Sequence, residues 1–322
     1  MSDPLKLASM KLVCVVGPTA SGKSDLAVEV ALRHHAEVIS VDASQVYRGF
    51  DIGTGKISEE ERQGVPHHLI DCNDPDERFD AGMFVERTDQ LINEIWARGR
   101  RVVLCGGTGL YLKALIQGLC EAPTVQETIE LELENRLEIE GSERLHAELA
   151  LVDPKAAERI MPRDKQRITR ALGVFLSHGI ALSELQAQHQ FASERYQALI
   201  IGLDPDRQCL NERIALRVKQ MWASGFIEEV KGLRDRGYQS VLRSMGAIGY
   251  RLALAALEGE LSPAEAEEKM IFATRQYARR QRRYFDRQLP TTWIAPLQGE
   301  SKVHIDQLSP LLDDWWSVPS LT

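Results

Sequence analysis

Nothing in the sequence is apolar over the roughly 20 residues that a bilayer-spanning helix needs. Residues 1–10 also lack the continuous apolar core of a secretory leader. Neither membrane insertion nor export is therefore expected. The 322-residue chain has only five cysteines (Cys14, Cys72, Cys105, Cys120 and Cys209), scattered and without a CxxC pair. That spacing argues against a zinc ribbon or a disulfide framework and predicts reduced thiols in a cytoplasmic protein. No internal repeat is present. Excess positive charge is missing as well, because the formal net charge is −8.

What is present is enough for a globular core: 43% of residues are hydrophobic, and the length suits one large domain or two ordinary ones. The negative average conceals a strong asymmetry. Residues 121–143 carry eight glutamates against Arg136, whereas residues 269–287 carry seven Lys or Arg against Asp286. A second basic stretch contains Lys155, Arg159, Arg163, Lys165, Arg167 and Arg170. A chain so divided can be acidic overall and still bind a polyanion.

The strongest signal is Gly17-Pro18-Thr19-Ala20-Ser21-Gly22-Lys23-Ser24, set between an apolar run, residues 12–16, and a helical stretch, residues 25–32. Strand–GxxxxGK[ST]–helix is the pattern of a phosphate-binding P-loop. Glycines let backbone N–H groups curl around a polyphosphate, and the helix N-terminus adds its dipole. Lys23 supplies a point charge and Ser24 a hydroxyl suited to Mg²⁺. Further apolar runs, residues 37–41 and 101–105, end at Asp42 and at Gly106-Gly107-Thr108-Gly109. Strands alternating with helices predict an α/β fold: a P-loop NTPase-like parallel sheet with helices on both faces. Ligands on such sheets bind beyond the C-terminal strand ends, where Ser24, Asp42 and Thr108 converge.

From residue 121 the chain becomes charged and helix-favouring, and strand character returns only at residues 196–203. We therefore expect a P-loop core over 1–120, an all-helical insertion domain over 121–195, a second part of the core over 196–290, and a C-terminal tail over 291–322 without a motif. Helical spacing at Phe84, Thr88, Leu91 and Ile95 predicts one helix. Leu210, Ile214, Val218 and Met221 predict a buried stripe on another. Asp153-Pro154 and Ser262-Pro263 read as helix starts.

Several residues admit two readings. Asp42 suits a general base, a water-mediated Mg²⁺ ligand or a helix N-cap. Thr108 suits a phosphate donor or a simple turn. Arg213 and Arg217, four apart, suit a bidentate phosphate clamp or an exposed helix face. His67-His68, without further ligands at sensible spacing, reads as structural. Arg275, Arg279, Arg282 and Arg283, interleaved with Tyr277 and Tyr284, suit either RNA backbone contact with base stacking or a solvated face. P-loop pattern alone leaves a nucleotide kinase open.

Beyond these elements, GPTASGKS, the strand ending in Asp42 followed by SQVYR, DIGTGK, VPHHLID and GGTGLY resemble motifs of the bacterial tRNA dimethylallyltransferases. DKQRITRAL (164–172), ASGFIEEV (223–230), AIGYR (247–251) and TRQYARRQ (274–281) are similar to others of that family, in family order. The resemblance implies that the P-loop, Gly17, Pro18, Thr19, Ala20, Ser21, Gly22, Lys23 and Ser24, holds the diphosphate of dimethylallyl diphosphate; Arg213 is expected beside it from its spacing with Arg217. It implies transfer of the dimethylallyl group to N6 of adenine 37 in the tRNA anticodon stem-loop, with Mg²⁺ as cofactor. Asp42 is then the general base, and Thr108 and Arg217 assist the diphosphate. Asp42, Ala43, Ser44 and Gln45, and Gln166, Arg167, Ile168, Thr169 and Arg170, then touch the tRNA; from the charge of the basic helix, Arg275, Arg279 and Arg282 are expected to do so as well. A monomer is expected. Ala43 stands where the family commonly has serine, Tyr284 where it has tryptophan, and Glu130 and Glu132 where it has basic residues. Rival readings are prenylation of free adenine nucleotides and a nucleotide-binding, RNA-associated switch.

Overall fold

The computed structural model describes residues 10–120, 122–189, 195–244, 246–297 and 303–317. Met245, part of the glycine-marked segment before Tyr250, lies outside them, as do residues 1–9. The chain forms two compact units, one of Met1–Ile116 with Arg195–Thr322 and one of Gln117–Glu194.

The larger unit begins with β1 (Lys11–Val16), α1 (Lys23–His34), β2 (Ala36–Val41), the short β3 (His67–His68), α2 (Ala81–Ala97), β4 (Arg101–Gly106) and α3 (Gly109–Gln117). The smaller unit is helical: α4 (Glu127–Ile139), α5 (Ser142–Val152), α6 (Pro154–Arg159), α7 (Lys165–His178) and α8 (Leu182–His189). The first unit resumes with β5 (Gln197–Leu203), α9 (Arg207–Ala223), α10 (Phe226–Asp235), α11 (Gln239–Ser244), α12 (Tyr250–Leu257) and α13 (Pro263–Gln288). It closes with β6 (Thr291–Ile294) and α14 (Ile305–Ser317).

All strand pairs are parallel, in the order β3-β2-β4-β1-β5-β6. Successive side chains on a strand point to opposite faces, and β1 shows what that period of two does. Leu12, Cys14 and Val16 pack with Phe84, Ile92 and Ile95 of α2 and Phe285 of α13. Val13 and Val15 pack with Leu26, Ala27 and Val30 of α1 and Leu308 and Leu312 of α14. Both faces of β1 are therefore dry, which is why its sequence is apolar throughout rather than alternating. A one-residue slip would exchange the two layers and misplace every side chain.

Helix ends are set by local chemistry. The Asp80 carboxylate accepts from Gly82 and Met83 N–H and starts α2. Ser262 and Glu265 form a reciprocal capping box at the start of α13, with Pro263 in its first turn. In α2 the fully buried position is Ile92; Leu91, which the spacing put in the stripe, is only half-buried. In α9, Ile214 and Val218 are buried while Leu210 and Met221 are half-buried.

The C-terminal segment departs most from expectation. It supplies the sixth strand, β6, in register with Ile200 to Leu203, and covers one sheet face with α14. Four residues are too few for a periodic signal, and the pairing is decided by the edge that β5 leaves open.

The smaller unit has its own core, Leu133, Leu145, Ile168 and Leu172, beside Val125, Leu149, Ala171 and Val174. Asp153, 1% exposed, ties it together. One carboxylate oxygen caps α6 at Ala156 N–H, 3.0 Å away, and the other accepts from Ser183 N–H at 2.9 Å. Asp153→Ala leaves both buried N–H groups unsatisfied and is expected to destabilise this unit by about 2–3 kcal/mol. Thermal unfolding followed by circular dichroism checks this, and a change below about 0.5 kcal/mol, the range of ordinary surface substitutions, overturns it.

Candidate active site

The loop between β1 and α1 is wound so that its N–H groups face inward. Ala20 and Gly22 adopt left-handed φ values of 63° and 89°, and Ser21 N–H closes a turn on Pro18 carbonyl at 3.2 Å. Pro18 has no N–H, and Thr19 N–H donates to Gln281 Oε1 at 2.9 Å. Among the described residues, the N–H groups of Ala20, Gly22, Lys23 and Ser24 have no protein acceptor. Four converging donors at a helix N-terminus make an anion cradle. Ser21 Oγ is buried without a partner in the same turn.

Lys23 and Arg217 supply the charge. Burial pushes the Lys23 pKa down; the Arg217 charge adds to the shift and the Asp42 charge opposes it. Arg217, from α9, is likewise pushed down by burial, with Asp42 the largest opposing charge. Neither forms an ion pair with a carboxylate among the described residues; Lys23 reaches only Pro18 carbonyl at 3.5 Å and Arg217 only Gly55 carbonyl at 3.0 Å. Two half-buried cations without a carboxylate partner cost free energy, and an anion between them offsets that cost. Burial raises the neighbouring Cys105 thiol to about 11, so it stays protonated and donates to Lys23 carbonyl.

Asp42 leaves β2 at its C-terminal end. Oδ1 accepts from Ser44 N–H at 2.8 Å and Gln45 N–H at 3.3 Å, while Oδ2 has no partner among the described residues. The carboxylate is thereby held rigid with one oxygen open. Thr108 acts on the same loop: its Oγ1 accepts from Ala43 N–H at 3.2 Å, and its own N–H bonds Val41 carbonyl at 3.1 Å. The hydroxyl does not line the cavity, so what Thr108 does here is fix the 42–45 turn. The turn that displays Asp42 is built from two strand ends at once.

Arg217 is aimed by a neighbouring loop. The Glu229 carboxylate of α10 accepts from three consecutive N–H groups, Asp51 (3.0 Å), Ile52 (2.7 Å) and Gly53 (3.2 Å), and from Tyr250 hydroxyl at 2.7 Å. That carboxylate shapes the turn ending at Gly55, where a Cβ would stand 1.8 Å from the Arg217 guanidinium. Lys56 bridges Asp51 and Asp71 at 2.5 Å each. Three motifs, DIGTGK, ASGFIEEV and AIGYR, thus meet at one carboxylate. Glu229 went unnoticed in the sequence because a glutamate in an acidic pair, Glu228-Glu229, carries no spacing signal.

Lys23, Ser24, Asp42 and Arg217 form the polar wall of a single cavity. Its apolar wall is Val38, Ile57, Ile70, Ile214, Val218 and Met221, and α13 closes it with Met270, Thr274, Tyr277 and Gln281. Burial and the nearby Asp42 charge push the Tyr277 phenol up, so it remains a proton donor. Arg213 lies outside this cavity and lines the adjoining groove with Asp25, Glu61 and Arg217.

Other residues singled out in the sequence are placed differently from expectation. Ile168 is 0% exposed in the core of the smaller unit, so its side chain cannot reach RNA. The Arg170 guanidinium is spent on the carbonyls of Ala122 and Pro123, and Thr169 on its own helix. Gln166 and Arg167 are exposed. Arg282 is held by Asp204 at 3.0 Å and Asp286 at 3.0 Å, and lies 3.5 Å over the Trp293 ring, locking β6 to α13. Tyr284 packs against Gly109, where a Cβ would meet its ring at 2.3 Å, so it is not an open stacking platform. Arg275 and Arg279 line a basic groove behind Pro18 with Arg207, Arg283 and Arg287. His68 bonds Glu37 at 2.7 Å, and His67 bonds Val65 carbonyl and lines the cavity.

Known proteins resemble this chain over most of its length. Residues 45–288 match the family model for IPP transferase. The tRNA dimethylallyltransferase of Geobacter metallireducens is 49% identical over 88% of this chain and 92% of its own length, and that of Methylococcus capsulatus is 46% identical over 88% and 91%. The crystal structure of the full-length tRNA isopentenylpyrophosphate transferase from Bacillus halodurans superposes with a TM-score of 0.68 at 38% identity, covering 95% of each chain. A eukaryotic dimethylallyltransferase caught acting on tRNA shares the fold, with a TM-score of 0.78 at 24% identity over 97% of this chain and 81% of its own. With more than half its length inside the family model and relatives near one-half identity, the chain belongs to the IPP transferase family.

Proposed function

We propose that this protein transfers the dimethylallyl group of dimethylallyl diphosphate to N6 of adenine 37, beside the anticodon, in tRNAs that read U-initial codons. The observation that carries this reading is the half-buried pair Lys23 and Arg217, without carboxylate partners among the described residues, at the edge of an apolar cavity that Asp42 also lines. Charge on one side and hydrocarbon on the other suits a donor that is a diphosphate at one end and a short alkenyl group at the other.

The chemistry follows from those residues. The bond between the allylic carbon and the diphosphate oxygen breaks, and its electron pair leaves with pyrophosphate. The four free N–H groups, Lys23 and Arg217 stabilise that leaving charge in a site with little water. The allylic carbon bonds to N6, whose proton passes to Oδ2 of Asp42, the open oxygen of a carboxylate held by Ser44 and Gln45. Adenine must leave its stack to reach a buried carbon, which suits an unpaired anticodon loop. Ser24, which lines the cavity, would be the residue to hold Mg²⁺. Among the described residues there is no group of three or more His, Cys, Asp or Glu to hold a metal by themselves, and Mg²⁺ keeps several waters. When bound it neutralises part of the diphosphate charge. On this reading Gln166, Arg167, Arg275 and Arg279 are the exposed or groove-lining groups left to meet tRNA, and the enzyme is a cytoplasmic monomer. No described helix is long and apolar enough to cross a membrane.

The test is to incubate the protein with Mg²⁺, labelled dimethylallyl diphosphate and unmodified tRNAs of the U-initial class, with AMP in a parallel arm. Label in RNA, localised by nuclease digestion to the adenosine beside the anticodon, is the expected result. Absence of RNA label across several such tRNAs overturns the assignment. Label on AMP instead makes the protein an adenylate prenyltransferase.

A further inference from the structure

The C-terminal helix α14 is seated over α1 on a buried imidazole. His34, in the last turn of α1, is 6% exposed and lies 4.6 Å from the Trp316 ring of α14. Its Nδ1 is 3.4 Å from Nη1 of Arg101 on β4. A guanidinium has no acceptor, so Nδ1 accepts, and the ring is neutral with its proton on Nε2. The same guanidinium lies 4.8 Å from the Trp316 ring centroid, which joins β4, α1 and α14 in one contact.

Protonation of Nδ1 removes that acceptor and sets an imidazolium against the Arg101 guanidinium. Arg33 and His35 act in the same direction as Arg101, and Asp313 of α14 acts against it. Arg33 is itself paired with Asp306 at 2.8 Å, and Lys11 of β1 bonds Trp315 carbonyl at 2.8 Å. The last carbonyls of α1 favour the cation. Burial and the Arg101 charge outweigh these, so the His34 pKa is pushed down. A pKa lowered in the closed state stabilises that state above the ordinary value, and the gain is lost as pH falls below it. The seat is also poorly satisfied. Nε2 of His34 and Nε1 of Trp315 and Trp316 are buried without hydrogen-bond partners among the described residues. Pro310, inside α14, can donate no backbone hydrogen bond to that helix. Both features favour release of α14 without touching the strand pairs.

We infer that α14 is an acid-released strap: it stays closed over the phosphate-loop helix while His34 is neutral and lets go when His34 is protonated. Closed, its Leu308 and Leu312 pack with Leu26, Ala27 and Val30 of α1, whose first residue is Lys23. Released, that face of α1 loses its cover, and the helix that carries the anion cradle is loosened from behind. The strap is a property of the fold and is independent of the reaction proposed for the site.

Hydrogen exchange of the full chain at about pH 7.5 and about pH 5.5 tests the inference. Protection factors are read for residues 305–317, so that the intrinsic pH dependence of exchange cancels. In the wild type, protection of α14 falls by up to about tenfold, the most that one histidine of ordinary pKa, about 6.5, supplies over this interval, while β1 and β4 stay protected. His34→Phe keeps a ring beside Trp316 and cannot take a proton, so its α14 protection is the same at both pH values. Arg101→Gln keeps a donor for Nδ1 but removes the opposing charge; its protection is lower at both pH values and changes less between them than in the wild type. Equal wild-type protection at the two pH values overturns the strap, as does a loss shared by β1 and β4. A pH-dependent loss that persists in His34→Phe overturns the assignment to His34, and an undiminished one in Arg101→Gln overturns the part given to the guanidinium.

Discussion

Asp42→Asn should lower the turnover number for prenyl transfer by about a thousandfold, within the range that a positioned base contributes. The substitution is chosen because it preserves geometry. Asparagine Oδ1 still accepts from Ser44 and Gln45 N–H, so the 42–45 turn and its bond to Thr108 are kept. What is lost is the open Oδ2, replaced by an NH₂ group that cannot take the N6 proton. The dissociation constants for tRNA and for dimethylallyl diphosphate should stay within about threefold, because such differences are worth less than 1 kcal/mol. Single-turnover transfer with labelled donor, alongside filter binding of tRNA, separates these quantities. A turnover number within about tenfold of wild type removes Asp42 from the base role, and a matching loss of tRNA affinity would recast it as a binding residue.

Arg217→Gln carries the second large effect. Arg217 and Lys23 are both held below their ordinary pKa by burial, and each is a charge near the other. Electrostatic groups of this kind act most where charge develops, and removing one such donor costs about 10²–10³ in turnover. The diphosphate gains charge as the allylic bond breaks, so Arg217→Gln should fall by that amount in turnover and less in donor KM. Arg213→Gln is the comparison, because Arg213 lines only the outer groove and should lose far less. Steady-state kinetics over a range of donor concentrations measures both. Equal losses for the two arginines would show that the groove, rather than the buried site, holds the leaving group.

Glu229 extends the argument from Arg217 to the residues that aim it. One carboxylate organises three successive N–H groups of the 51–53 turn and the Tyr250 hydroxyl, and the end of that turn meets the guanidinium at Gly55. The glycine-bearing loop thus acts as a mould for an arginine and not as a second phosphate loop. Its short motifs look functional in the sequence, and they are, at one remove.

Local chemistry was written plainly in the chain. A phosphate loop needs glycine, lysine and serine at fixed spacing, so Gly17 to Ser24 can be read without a structure. Apolar runs and capping residues likewise foretell β1, β2, β4 and the starts of α6 and α13, because those signals act over a few residues. Asp42 stood out as a carboxylate at a strand end. Whether an arginine is buried against an anion site or spent on a carboxylate is not local. Arg217 and Arg282 are both arginines on basic-faced helices, yet one meets only a backbone carbonyl and the other is locked by Asp204, Asp286 and Trp293. Ile168 sits among candidate RNA contacts in sequence and in a hydrophobic core in space. The last strand and helix, the turn that Thr108 fixes and the bond between Thr19 and Gln281 join residues up to 304 positions apart. The sequence by itself carries the phosphate-loop pattern, the α/β alternation and the family motifs. Tertiary structure alone decided which charges remain unpaired, because a charge's partner is set by what folding brings within a few ångströms and not by its neighbours along the chain.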